Sequence, residues 1–194
     1  IVEDLLDAGR EVYLCTSKVW RLPRRYRGRD VVGWFFEAGL ADTRPEELED
    51  PSEIHARQAQ ISGTRGGHTV ALQQLGRDGA KLLGRLEGVS GRKLTIGGDL
   101  EENVAFADAA AVKIRAGLDA HIEGKRADAP PGEPEPCEAP FAGLAEMAAV
   151  RELDLDEAKI TSVIWATGFG GDFSYLDREL LDAHGLPRHA AGCC

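Results

Sequence analysis

The chain has 194 residues, 43% hydrophobic and 29% charged, which suffices for one sizeable α/β domain, or for one domain plus part of another. A formal net charge of −10 excludes a general binder of nucleic acid or anionic membranes. No apolar run approaches the roughly 20 residues that span a bilayer, and no basic-then-apolar leader opens the chain, so a cytoplasmic protein without a membrane partner is expected.

Residues 1–9 (IVEDLLDAG) carry apolar side chains at helical spacing and end in a glycine suited to a left-handed cap. No capping residue precedes them, and residue 1 is Ile, so the sequence is expected to start inside a helix of something longer. Residues 11–16 (EVYLCT) read as a short strand. Helix, glycine turn and strand form the second half of a βαβ unit, whose phosphate-binding glycine loop would lie before Ile1.

An irregular insertion is expected over 18–66, starting basic and turning acidic at Glu46, Glu47, Glu49, Asp50 and Glu53. Within it, 31–40 reads as a short helix carrying Trp34, Phe35 and Phe36, an aromatic trio suited to packing. A helix over 69–77 closes at Asp78-Gly79. Residues 80–89 and 93–96 read as a β-hairpin joined through Ser90-Gly91-Arg92.

Asp99 followed by Glu102 has the spacing of a capping box. Behind it Leu100, Val104, Ala107, Ala111, Ile114, Leu118 and Ile122 recur at steps of three and four, which predicts a helix over 100–123. Residues 127–140, rich in proline and acid, should form an exposed loop. The continuous apolar run 160–166 (ITSVIWA) has the length and composition of a parallel strand covered on both faces.

The basic stretch is the first candidate site. Lys18, Arg21, Arg24, Arg25, Arg27 and Arg29 put six cations within twelve residues of an otherwise acidic chain. They follow the strand that ends in Thr16-Ser17, with no carboxylate before Asp30. That is where an NADP-dependent enzyme binds the adenosine 2′-phosphate, and where an NAD-dependent one places an acid for the ribose. Hydroxyls supply short hydrogen bonds there, and guanidinium supplies a two-pronged fork. The other reading is a solvated basic loop neutralised by the acidic segment 46–53.

The second candidate is Ala166-Thr167-Gly168 at the end of the apolar run, since ligands of open α/β sheets gather at the carboxyl ends of strands. Gly63, Gly66, Gly67 and His68 form either an anion cradle or a plain turn, and the turn is preferred because the spacing fits no phosphate loop. The five histidines lack metal-ligand spacing, and Ser62, Ser90, Ser162 and Ser174 sit in no nucleophile elbow. Cys15, Cys137, Cys193 and Cys194 form neither a Cys-x-x-Cys pair nor a zinc set, and read as thiols of a reducing compartment.

Taken together, residues 12–17 (VYLCTS), 63–68 (GTRGGH) and 164–169 (IWATGF) resemble the NADPH domain of flavin-containing monooxygenase-like proteins, a group of FAD-dependent oxidoreductases with two dinucleotide folds. The likeness runs to about residue 189. It implies an α/β fold, an incomplete Rossmann-type NAD(P)-binding domain with a β-hairpin and helical insertions. Residues 1–167 would be a partial NADPH-binding domain and 168–194 the start of the return to an FAD domain. It also implies that Thr16, Ser17, Lys18, Arg21, Arg24 and Arg25 meet the NADP phosphate, and that Ala166, Thr167 and Gly168 lie near both cofactors.

The chain departs from that family in carrying neither Gly-x-Gly-x-x-Gly loop, so FAD would bind mostly through other parts of the protein. Gly170-Gly171 also replaces bulkier residues. The implied activity is NADPH- and FAD-dependent oxygenation of a small organic substrate, with no catalytic acid or base named in this chain. The alternatives are a flavin-dependent reductase or dehydrogenase, and a non-catalytic nucleotide-binding or interaction domain.

Overall fold

A computed structural model describes residues 1–42, 44, 47, 61–125, 128–168 and 171–188. The chain is mixed α/β with short sheets, and it divides into two units, Ile1–Lys159 and Ile160–Cys194, ahead of the expected division at 167/168. Among the described residues no helix is long and apolar enough to cross a membrane.

In the first unit, helix α1 (Val2–Asp7) ends as its sequence requires. Gly9 adopts φ +69°, and the Gly9 and Arg10 N–H groups donate to the carbonyls of Leu6 and Leu5 at 2.8 and 2.9 Å. This double bond closes the last turn, and glycine is favoured because its backbone is left-handed there. Strand β1 (Tyr13–Cys15) follows.

The expected irregular insertion contains a hairpin that periodicity did not reveal. Strands β2 (Arg25–Tyr26) and β3 (Arg29–Asp30) pair antiparallel across Arg27-Gly28, both left-handed at φ 46° and 78°. Two consecutive positive φ values define the tight loop that matches strand twist. The strands are two residues each, too short to leave an alternating pattern. Asp30 then caps α2 (Val31–Glu37), accepting from Val32 N–H at 3.0 Å. Trp34 is buried while Phe36 is exposed, so the aromatic trio is divided between core and surface.

Helix α3 (Leu72–Arg77) starts three residues later than expected and closes at Asp78 and Gly79, the glycine at φ +106°. The run expected as one hairpin arm, 80–89, is two strands in two sheets. Strand β4 (Lys81–Leu83) pairs parallel with β1 in the register Tyr13↔Lys81 to Cys15↔Leu83. After a pivot at Gly84-Arg85, β5 (Leu86–Ser90) pairs antiparallel with β6 (Lys93–Ile96). The pivot needs glycine because an added Cβ at Gly84 would stand 2.1 Å from the carbonyl oxygen of Gly97. Strand β7 (Glu152–Asp154), absent from the expectation, completes the order β5-β6-β7.

Helix α4 (Leu100–Lys125) is the spine of this unit. At 26 residues it runs about 39 Å and joins two cores. Its first turns bring Leu100 and Val104 against Leu75, Ala80 and Leu82, with Val2, Leu6 and Leu14 packed around them. Its last turns bring Leu118 and Ile122 against Leu22, Tyr26, Val31 and Trp34. The predicted stripe is therefore the buried face, with only Ile114 partly open. Helix α5 (Leu144–Ala148) closes over the first core. The proline-rich loop, described from residue 128, is mostly exposed, but a short turn at Pro136–Glu138 tucks Cys137 and Glu138 inward.

The second unit corrects one expectation. Residues 160–166 form no strand, and Val163, Ile164 and Trp165 are 58, 57 and 70% exposed. An apolar run states a preference for burial; a parallel strand exists only when a neighbour completes its hydrogen-bond ladder, and no described residue does. The regular part of this unit is a small loop where Leu181 bridges Pro187. There the Asp182 carboxylate accepts from the N–H groups of His184 and Leu186 at 2.8 and 2.9 Å.

Candidate functional site

The β1–β4 pair fixes where chain segments emerge. The ladder continues one step beyond Cys15, with Thr16 N–H donating to the Leu83 carbonyl at 3.1 Å. Adjacent strands lie about 4.8 Å apart. Residues following β1 and residues following β4 therefore leave the same carboxyl edge side by side. An open hollow of about 490 Å³ lies at that edge, lined by Ser17, Lys18, Trp20, Arg85, Asp99, Glu102, Asn103 and Phe106. The last four belong to the start of α4 or the residue before it.

Lys18 is exposed, its Nζ 3.7 Å from the Glu102 carboxylate across the hollow. Such a long, solvated pair binds weakly and can exchange for a stronger anion. Asp99 is held more firmly. Burial pushes its carboxyl up, but the Arg85 backbone N–H donating at 2.8 Å, the Asn103 side chain and the Arg85 charge outweigh that and hold it below the usual range.

Asn103 is 1% exposed and donates from Nδ2 to the Thr16 carbonyl at 3.1 Å. That bond assigns its Oδ1 as an acceptor, and this buried oxygen has no hydrogen-bond partner among the described residues. An orphaned acceptor lowers stability until a donor reaches it. The hollow itself presents a cation, a hydroxyl-bearing side chain and an aromatic side chain, while the Asn103 acceptor is closed off from solvent.

The expected site residues separate. Thr16, Ser17 and Lys18 stand at the strand edge, although the Thr16 hydroxyl is turned to the Ser17 carbonyl at 3.2 Å. Arg21 is instead 4% exposed, bonded to Asp108 and, at 3.0 Å, to Glu138. Arg24 donates to the Ser62 carbonyl at 3.0 Å and to Asp30. Arg25 reaches the Gly66 carbonyl at 2.9 Å from an exposed position. Arg27 bonds Asp119 at 3.0 Å, and Arg29 bonds Glu37 with its guanidinium 4.2 Å over the Trp34 ring. The local excess of cations is thus largely matched by carboxylates and carbonyls, several of them distant in sequence. The acidic segment 46–53 expected to neutralise it lies outside the described residues, Glu47 apart.

Ala166, Thr167 and Gly168 belong to the second unit and are exposed, Gly168 at φ +89°. The turn 63–68 docks on α1: His68 Nε2 lies 2.6 Å from Glu3, and Arg65 bonds Asp7. Its glycines precede α3 by several residues, so the turn does not open that helix. Phe169, Gly170, His189, Cys193 and Cys194 lie outside the described residues.

Sequence reasoning missed Trp20, Arg85, Asn103 and the Asp99 carboxylate as members of one hollow. Two signals were present. A glycine inside an apparent strand marks a bend or close approach, which here is the pivot that aims Arg85. A lone Asn at position 103 also interrupts the buried stripe between Leu100 and Val104. No family model matches the chain, and neither a curated protein nor a solved structure matches it.

Proposed function

We propose that residues 1–159 are the pyridine-nucleotide-binding part of an NADPH- and FAD-dependent oxidoreductase of the flavin monooxygenase type, acting on a small organic substrate, with an incomplete Rossmann-type sheet at its centre. The observation that carries this reading is Ser17-Lys18 at the carboxyl edge of the parallel pair β1–β4, beside an open hollow lined by Trp20 and Asn103. Ligands of α/β sheets bind at that edge, and a 2′-phosphate there calls for cations and hydroxyls rather than an acid directly after the strand.

The residues of this chain would bind and orient. Lys18 would exchange its long contact with Glu102 for a phosphate oxygen of higher charge. Trp20 would offer a flat apolar face to the base. When bound, the two cofactors supply hydride transfer from nicotinamide to flavin and the activation of dioxygen. No side chain described here moves a proton in those steps.

The experiment is a comparison of adenosine 2′-monophosphate with adenosine 5′-monophosphate, titrated against the 194-residue chain by calorimetry. Preference for the 2′ compound, reduced about tenfold in Lys18→Ala, is expected, because one charge-assisted contact is worth about 1.5–3 kcal/mol. Equal affinity for both nucleotides would remove the reading.

A further inference from the structure

Resting on that nucleotide reading, we propose that Arg85, which no feature of the sequence connects with the basic cluster, is the second cation of the phosphate site and sets its selectivity for 2′-phosphorylated adenosine.

The placement follows from the sheet. The register Cys15↔Leu83 and the further bond from Thr16 to Leu83 make β1 and β4 end together. Lys18 lies three residues beyond Cys15 and Arg85 two beyond Leu83, so the two cations rise from neighbouring strand ends and line one hollow. The pivot between β4 and β5 is rigid. Gly84 packs on the Gly97 carbonyl, the Arg85 N–H is fixed on Asp99 at 2.8 Å, and the Arg85 carbonyl accepts from Gly97 N–H at 2.8 Å. The backbone of Arg85 is therefore held at its N–H and its carbonyl, beside the close approach of Gly84, while its side chain is exposed to solvent.

The other arginines are placed differently. Arg21 and Arg24 donate to Asp108, Glu138, Asp30 and Ser62, and Arg21 is buried. Moving either onto a ligand would take it from carboxylates that it already pairs with. The Arg85 charge only adds to what lowers the Asp99 carboxyl, and that carboxylate keeps its backbone partner whatever the guanidinium does. A dianionic phosphate seated between Lys18 and Arg85 would meet an ammonium on one side and a planar fork on the other. The fork matches two phosphate oxygens at once, a geometry that a lysine cannot supply.

Asp99 and Glu102 sharpen the choice. With Lys18 and Arg85 they make the hollow formally neutral, so a nucleoside without the extra phosphate gains little from charge there. The phosphate gains by drawing Lys18 from its long, solvated contact with Glu102 and by adding the Arg85 charge. Discrimination then depends on the pair of cations together, and removing either should abolish most of it.

The test measures the ratio of affinities for adenosine 2′- and 5′-monophosphate in the 194-residue chain and in Arg85→Ala, Arg85→Lys and Lys18→Ala. Far-UV circular dichroism verifies that each variant is folded. Arg85→Ala is expected to lose about tenfold or more in affinity for the 2′ compound, with the 5′ compound changed less than about twofold. Arg85→Lys should recover only part of the loss. If Arg85→Ala keeps the full 2′ preference while Lys18→Ala loses it, the role of Arg85 is refuted and the nucleotide reading stands. If the unaltered chain shows no 2′ preference, both are refuted.

Discussion

Replacing Arg21 with Ala separates a structural cation from a ligand-binding one. The Arg21 side chain is 3% exposed and bridges Asp108 and Glu138, tying the start of the chain to α4 and to the loop after it. Removing one partner of a buried ion pair costs about 3–5 kcal/mol when the stranded charge has no other support. Support exists here: Glu138 also accepts from Arg115 at 2.6 Å, Asp108 accepts from Gln73 at 2.9 Å, and the Asp108 side chain is 45% exposed. The expected loss is therefore at the lower end, about 3 kcal/mol, combining the vacated volume with one weakened carboxylate. For a chain of this size that corresponds to a fall in Tm of about 6–12 °C, read by far-UV circular dichroism on heating. Lys18→Ala, breaking a solvated 3.7 Å pair, should shift stability by less than about 0.5 kcal/mol. An Arg21→Ala melt within about 2 °C of the unaltered chain would refute the assignment of Arg21 to the framework.

Two further outcomes follow from packing and charge. Gly84→Ala should destabilise by about 3 kcal/mol, since its Cβ would meet the Gly97 carbonyl at 2.1 Å and Asp99 Oδ1 at 2.6 Å; a wild-type denaturant midpoint would contradict this close approach. Burial first, and the Glu138 carboxylate second, hold the Glu135 carboxyl above its ordinary 4.5, while the Thr69 hydroxyl and nearby arginines oppose them. A carboxyl raised on folding imposes no ionisation penalty below pH 4.5, and the penalty grows to its full size as pH rises through the folded value. Glu135→Gln should thus melt higher than the unaltered chain at pH 7 and equally near pH 4; the opposite pH trend would show that the carboxylate is favoured.

Part of the local chemistry was legible, where spacing within one element decides it. The Gly9 cap, the buried stripe of α4 and the strand at β1 each follow from spacing and residue type within one element, because helical and strand periods decide which side chains share a face. Partnership was not legible. Arg21 and Arg24 lie in the same basic run as Lys18, and only the fold shows that Asp108, Glu138 and Asp30 take the first two while Lys18 stays at the surface. The hairpin at Arg27-Gly28 was hidden because two-residue strands carry no period.

The apolar run 160–166 shows the same limit from the other side. Its composition states what it would bury, yet the tertiary structure leaves it without a ladder and exposed. The candidate hollow exists because β1 and β4 end in register and Gly84 turns the chain against Gly97, gathering side chains from positions 17 to 106. Side-chain period and turn preference are properties of a few consecutive residues, so the amino-acid order alone determined them. Which charge meets which, and which strand finds a neighbour, depend on contacts between residues tens of positions apart, and only the packed chain decided those.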